Sequence, residues 1–172
     1  MFVLNFRQSM PILCFSKLQC YISQMSRNPI NLLLADDDED DCLFFKEALE
    51  DLSVDSSLTT VNNGEQLMRV LNARTENLPD IIFLDLNMPR KPGFECLREI
   101  KQDEKLKSLT VIVYSTSLEH DVVDLLYENG AQHYIRKPGD FAQLKKVIFK
   151  AIKIAGTTNP KKPPKEKFII QV

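Results

Sequence analysis

Between residues 30 and 155, short apolar runs alternate five times with segments of helical spacing. Ile30 to Ala35 reads as a strand, and Asp40 to Leu52 as a helix with Leu43, Phe44, Ala48 and Leu49 at helical intervals. A strand from Leu58 to Val61 and a turn at Asn62-Asn63-Gly64 lead into a helix from Gly64 to Arg74. The strand Ile81 to Leu84 precedes a helix from Phe94 to Asp103, and the strand Thr110 to Tyr114 precedes one from Glu119 to Asn129 that Gly130 stops. Last come the strand His133 to Arg136 and a helix capped by Asp140 that runs to about Ala155. This alternation predicts an α/β fold: a five-stranded parallel sheet covered by helices on both faces, in three layers. Right-handed crossovers narrow it to a doubly wound arrangement, whose functional crevice lies at the carboxyl ends of the strands.

The residues that end those strands carry the chemistry. Strand one runs into Asp36-Asp37-Asp38-Glu39-Asp40-Asp41, strand three into Asp85, strand four into Ser115-Thr116-Ser117 and strand five into Lys137-Pro138. Glu39 and Asp41 read as a solvated helix start favoured by the helix dipole, and Asp38 and Asp40 as candidate caps. Asp36 and Asp37, at the strand edge, read as ligands for a hard divalent cation such as Mg²⁺, which takes a few carboxylates and keeps several waters. A cation beside Asp85 makes that carboxylate a plausible nucleophile toward a phosphoryl group. A lysine can pair with the free acid and then with a phosphoryl oxygen, and a hydroxyl can hydrogen-bond another. Taken singly, Asp85 is a turn former, Lys137-Pro138 a loop and Ser115 a strand-end hydroxyl. Together at four strand ends they fit phosphorylation of a carboxylate to an acyl phosphate.

Composition bounds the rest. The 172 residues suffice for one domain with tails, and a net charge of -2 gives no bias toward nucleic acid or anionic membrane. Cys14, Cys20, Cys42 and Cys96 show no metal-ligand spacing, and Cys42 and Cys96 fall in helical segments as small buried hydrophobes, which suits a reducing, cytoplasmic compartment. Residues 1–28 read as an N-terminal extension, disordered or due to an upstream start, with a second start at Met25. No run reaches the ~18 apolar residues of a membrane span. Residues 29–155 form the domain. Residues 156–172 form a Pro/Lys-rich tail, extended through Lys161 to Lys167, that ends in Phe168-Ile-Ile-Gln-Val172 and is apolar enough to dock on the domain or on a partner.

With these residues in view, the sequence resembles the receiver domain of two-component response regulators over residues 29–155. The phosphoacceptor motif appears as Asp85-Leu-Asn-Met-Pro89, the acidic pair as Asp36 and Asp37, the Ser/Thr switch as Ser115, the lysine as Lys137 followed by Pro138, and the aromatic switch as Tyr134. The finer pattern resembles the short, stand-alone receivers that serve phytochrome-like histidine kinases. Ser115 where threonine is commoner, and Gly139 where phenylalanine is frequent, depart from the pattern. The resemblance implies a flavodoxin-like fold with strand order 2-1-3-4-5 and Mg²⁺ held by Asp36, Asp37, Asp85 and the Asn87 backbone carbonyl. It implies phosphorylation of Asp85 by a sensor histidine kinase or a histidine phosphotransfer protein, with Asn87 and Ser117 flanking the phosphoryl group. Ser115 then moves toward that group, Tyr134 rotates inward, and the face made by helix four, strand five and helix five changes shape for a partner. A half-buried strand aromatic is the plainer reading of Tyr134. A homodimer through the same face is compatible with the resemblance. The 17 residues after Ala155 cannot form a DNA-binding output domain, so output is expected through protein contact or phosphorelay, with no nucleic acid partner and no stable membrane insertion.

A flavodoxin-like cofactor binder is disfavoured by the acidic loop after strand one, the wrong sign for phosphate. An aspartate-nucleophile phosphatase of the haloacid dehalogenase type needs a second acid two residues after the nucleophile, where Asn87 stands and cannot cycle a proton. The expectation is therefore a phosphoacceptor that catalyses only its own phosphorylation and dephosphorylation. A phosphorylation-independent receiver-like interaction module is disfavoured by the complete set Asp36, Asp37, Asp85, Ser115 and Lys137. A chain beginning at Met25 is expected to melt at the temperature of the full-length chain in differential scanning calorimetry.

Overall fold

The computed structural model describes residues 29–74, 76–116, 119–155 and 162–171. The N-terminal extension, the Gly156–Pro160 break and Val172 lie outside the described residues. Five strands, β1 (Ile30–Ala35), β2 (Ser56–Val61), β3 (Ile81–Leu84), β4 (Thr110–Ser115) and β5 (His133–Arg136), form one parallel sheet in the order β2-β1-β3-β4-β5. Helices α1 (Glu39–Asp51), α2 (Gly64–Ala73), α3 (Gly93–Gln102), α4 (His120–Glu128) and α5 (Phe141–Ala155) fill the crossovers. The predicted doubly wound three-layer architecture is thus observed, with β2 starting two residues earlier than its apolar pattern suggested.

The central strands are buried on both faces. β3 is Ile-Ile-Phe-Leu with every residue buried, because helices cover each side of it. One core lies between the sheet and α2, α3 and α4, and includes Leu67, Leu97, Leu126 and Tyr134. The other lies between the sheet and α1 and α5, and includes Phe45, Phe83, Ile135 and Ile148. Phe45 sits edge-on to Phe83 and Tyr114, with ring centroids 4.8 and 5.7 Å apart. That insertion decides the rotation of α1: Phe45, Ala48 and Leu49 face inward, while the expected face residues Leu43 and Phe44 stand half exposed.

Local chemistry sets the boundaries. Asp38 caps α1, its Oδ1 accepting from the amides of Asp40 and Asp41 at 2.9 and 3.2 Å. Asp40 lies inside the helix and is not a cap. Asn63 caps α2 through Gln66 N at 2.9 Å, and Asp140 caps α5 through Ala142 N at 2.7 Å. Gly130 ends α4 at φ +90°, a conformation that disfavours a side chain.

The C-terminal segment departs from the extended reading. Lys165–Lys167 form a 3-10 turn, and Ile169 then pairs in parallel with Tyr134 of β5. Phe168 is 1% exposed and Ile170 4%, so the apolar end docks on the domain itself. Burial of two such side chains stabilises the docked state by roughly 1.5–3 kcal/mol each before ordering costs. Among the described residues no helix is long and apolar enough to cross a membrane.

Phe45→Ala is expected to destabilise the domain by roughly 3–5 kcal/mol, from lost transfer energy and a residual cavity. Urea denaturation followed by circular dichroism would show the lowered midpoint.

Candidate functional site

All five strands run the same way, so their carboxyl ends share one edge. Ala35 of β1 stands opposite Leu84 of β3, which places the next residues, Asp36 and Asp85, side by side. The ladder continues past the strands, with Asp36 N donating to Val61 O at 3.0 Å and Asp85 N to Ala35 O at 2.9 Å. Asp36 and Asp85 are buried and Asp37 is exposed. One carboxylate oxygen from each of the three lies within 4.8 Å of the others. The turn after Asp85 folds back tightly: Gly93 N donates to Leu86 O at 3.0 Å, and a Cβ on Gly93 would lie 1.9 Å from Asp85 O. Only glycine allows that approach.

Lys137 follows β5, and its amide donates to Ser115 O at 2.9 Å. Its Nζ lies 2.7 Å from Asp36, 2.8 Å from Asp41 and 4.0 Å from Asp85. The expected direct counter-charge to Asp85 is therefore a looser contact, and the lysine's near partners are Asp36 and Asp41. Asp41, read from sequence as part of a solvated helix start, is a missed member of the site. The N-cap at Asp38 starts α1 so that Asp41 falls in its first turn, reaching back over the mouth. Among six acids in a row, the sequence carries no signal that singles it out. Cys42, half-buried, directs Sγ toward Asp36 O at 3.6 Å, and burial pushes its thiol up to about 11.

Three carboxylates thus share one ammonium, with Asp37 beside them at the mouth. Burial raises Asp36 from 3.8 to about 6, only partly opposed by Lys137. Burial likewise raises Asp85, opposed by Lys137, by the Leu86 and Asn87 amides and by the Ser115 hydroxyl. Burial pulls Lys137 down, but hydrogen bonds to Asp36 and Asp41 outweigh it and hold the ammonium charged. Hard oxygen donors with excess negative charge, two of them reluctant to ionise, fit a divalent cation.

Ser115 ends β4 fully buried, with its hydroxyl facing the Asp85 carboxylate. The buried Tyr134 hydroxyl has no hydrogen-bond partner among the described residues. Tyr134 is fully buried rather than half-buried, because Phe168 covers the sheet edge beside it. Asn87 is exposed in the turn after Asp85, and Ser117 lies outside the described residues.

Comparison with known proteins agrees with this geometry. The sequence model of the response regulator receiver domain matches residues 32–149. The response regulator Rcp1 of Synechocystis sp. is 34% identical over 131 residues, spanning 74% of this chain and 89% of that protein. The crystal structure of the phosphorylated cyanobacterial phytochrome response regulator RcpA is similar with a TM-score of 0.70 at 32% identity, covering 76% of this chain and 96% of that one. The crystal structure of the Mn²⁺-bound form of Rcp1 gives 0.68 at 31% identity, covering 79% and 100%.

A folded-state pKa for Asp36 above the unfolded one means that the folded protein holds a proton which the unfolded chain releases. Its contribution to stability is thus greatest below about pH 4 and is lost as pH rises through 6. In metal-free buffer at pH 7, Asp36→Asn is expected to stabilise the fold by on the order of 1–3 kcal/mol. The gain should vanish below pH 4 in denaturant titrations at the two pH values.

Proposed function

The chain belongs to the response regulator receiver domain family, and from that membership we propose that Asp85 accepts a phosphoryl group from a phosphohistidine in a Mg²⁺-dependent reaction. The donor is a sensor histidine kinase or a histidine phosphotransfer protein. A carboxylate oxygen of Asp85 forms the new P–O bond as the P–N bond to histidine breaks, and the electron pair stays on the imidazole nitrogen. Asp36, Asp37, Asp85 and the Asn87 carbonyl would hold Mg²⁺, which supplies charge neutralisation on the phosphoryl oxygens when bound. The observation that carries this reading is the convergence of the Asp36, Asp37 and Asp85 oxygens within 4.8 Å, at the strand edge that Lys137 also reaches.

The residues divide the work by charge and reach. Lys137 is held near Asp85 by Asp36 and Asp41, and moves from these acids to a phosphoryl oxygen as the acceptor becomes an acyl phosphate. The Ser115 hydroxyl, buried beside the Asp85 carboxylate, donates to a second phosphoryl oxygen. Asn87 stands where a phosphatase would carry its general acid and flanks the phosphoryl group, where it helps set how fast water removes that group. Ser117 is the other residue assigned to flank it. Receipt of the group is read out through the face of α4, β5 and α5, with protein contact or phosphorelay as the output and a homodimer through that face as one form of contact.

Incubation with acetyl phosphate and Mg²⁺ is expected to add one phosphoryl group to the wild-type chain by intact mass and none to Asp85→Asn. An unchanged wild-type mass, with no spectral response to beryllofluoride and Mg²⁺, would refute the phosphoacceptor assignment.

A further inference from the structure

The docked C-terminal segment touches each of the three elements of the face just described. Toward α4, Tyr127 Oη donates to Pro163 O at 3.0 Å, Lys165 pairs with Asp124 at 2.8 Å, and the Phe168 ring stands edge-on to Tyr127 at 5.2 Å. On β5, Tyr134 N donates to Phe168 O at 3.0 Å and Tyr134 O accepts from Ile170 N at 2.8 Å. Toward α5, Lys150 Nζ donates to Gln171 O at 2.9 Å. The segment also straddles the sheet: Phe168 enters the core on the α4 side and Ile170 the core on the α5 side.

We propose that residues 162–171 are a built-in ligand of the β5 edge, docked in cis through one parallel β-bridge at Ile169, that holds the Tyr134 ring inward. Both main-chain groups of Tyr134 are taken by the segment, and its ring shares a core with Phe168. Docking and the inward ring therefore favour each other, and any site that biases Tyr134 is linked to the segment with equal strength in both directions. A partner approaching this side meets the segment rather than a bare strand edge. Its exposed outer residues, Lys165 and Lys167 among them, become part of the surface that is read. The recognition chemistry is main-chain pairing at a strand edge by an aromatic-aliphatic-aliphatic pattern preceded by lysines. The link to Asp85 rests on the phosphoacceptor reading; the docking itself does not.

The test uses full-length chains, wild type and Phe168→Ala/Ile170→Ala. In hydrogen exchange, the Tyr134 and Ile170 amides of the wild type are expected to be protected at all protein concentrations, and Tyr134 to exchange at least tenfold faster in the variant. A labelled peptide of residues 162–172 should bind the variant and not the wild type, whose site is filled. Beryllofluoride with Mg²⁺ should bind the variant several-fold more weakly. Unprotected amides in the wild type, or protection that appears only as a dimer forms, would overturn docking in cis. Equal peptide binding to both chains, or binding to neither, would overturn the edge as the receiving site. Equal beryllofluoride affinity would overturn the link. A wild type that ignores beryllofluoride would refute the phosphoacceptor reading, and with it the link, leaving the exchange and peptide results to decide docking.

Discussion

The pairing of Ala35 with Leu84 is the constraint on which the site depends. Parallel strands share a direction, so the residue after each strand arrives at the same edge. In this register those residues are Asp36 and Asp85, two buried acids placed side by side against the ordinary cost of burying charge. Gly93 lets the following turn close over Asp85 O without a Cβ in the way, which keeps Asp85 at the mouth and out of solvent. A slip of one residue in β3 would turn Asp85 to the opposite face of the sheet and dissolve the cluster.

Lys137 answers that concentration of charge, and its choice of partners shapes the site. Asp36 and Asp41 hold the ammonium close, while Asp85 sees it at 4.0 Å. Asp85 is thus the carboxylate of the three that the ammonium holds most loosely. The Tyr134 hydroxyl, buried without a hydrogen-bond partner among the described residues, is a polar group whose unmade hydrogen bond costs free energy.

The outer edge of β5 is where site and surface meet. A bare edge strand offers unpaired amides and carbonyls, and proteins cover such edges. Here the cover is the chain's own C-terminal segment, bonded to both main-chain groups of Tyr134. Tyr134 is fully buried for that reason, one aromatic position serving both the interior and the covered edge.

Much of this was legible in one dimension. Apolar runs bounded by turn residues located all five strands and all five helices, because burial of β1, β3 and β4 on both faces demands continuous hydrophobes. The acids, the hydroxyl and the lysine at the strand ends were legible as a set because a parallel sheet gathers its carboxyl ends. Three features were not. The rotation of α1 was settled by Phe45 packing against Phe83 and Tyr114, which local spacing cannot distinguish from a face built on Phe44. Asp41 became a site residue only when its helix was laid across the mouth beside Lys137. The segment from Phe168 to Ile170 announced by its composition that it would be buried somewhere, but its place on β5 depended on an edge formed by residues more than thirty positions away. Sequence alone determined which elements form and which groups stand at their ends, since both follow from local pattern and strand direction. Tertiary structure decided which charges pair and which edge is covered, since those outcomes depend on distances across the sheet that no local pattern encodes.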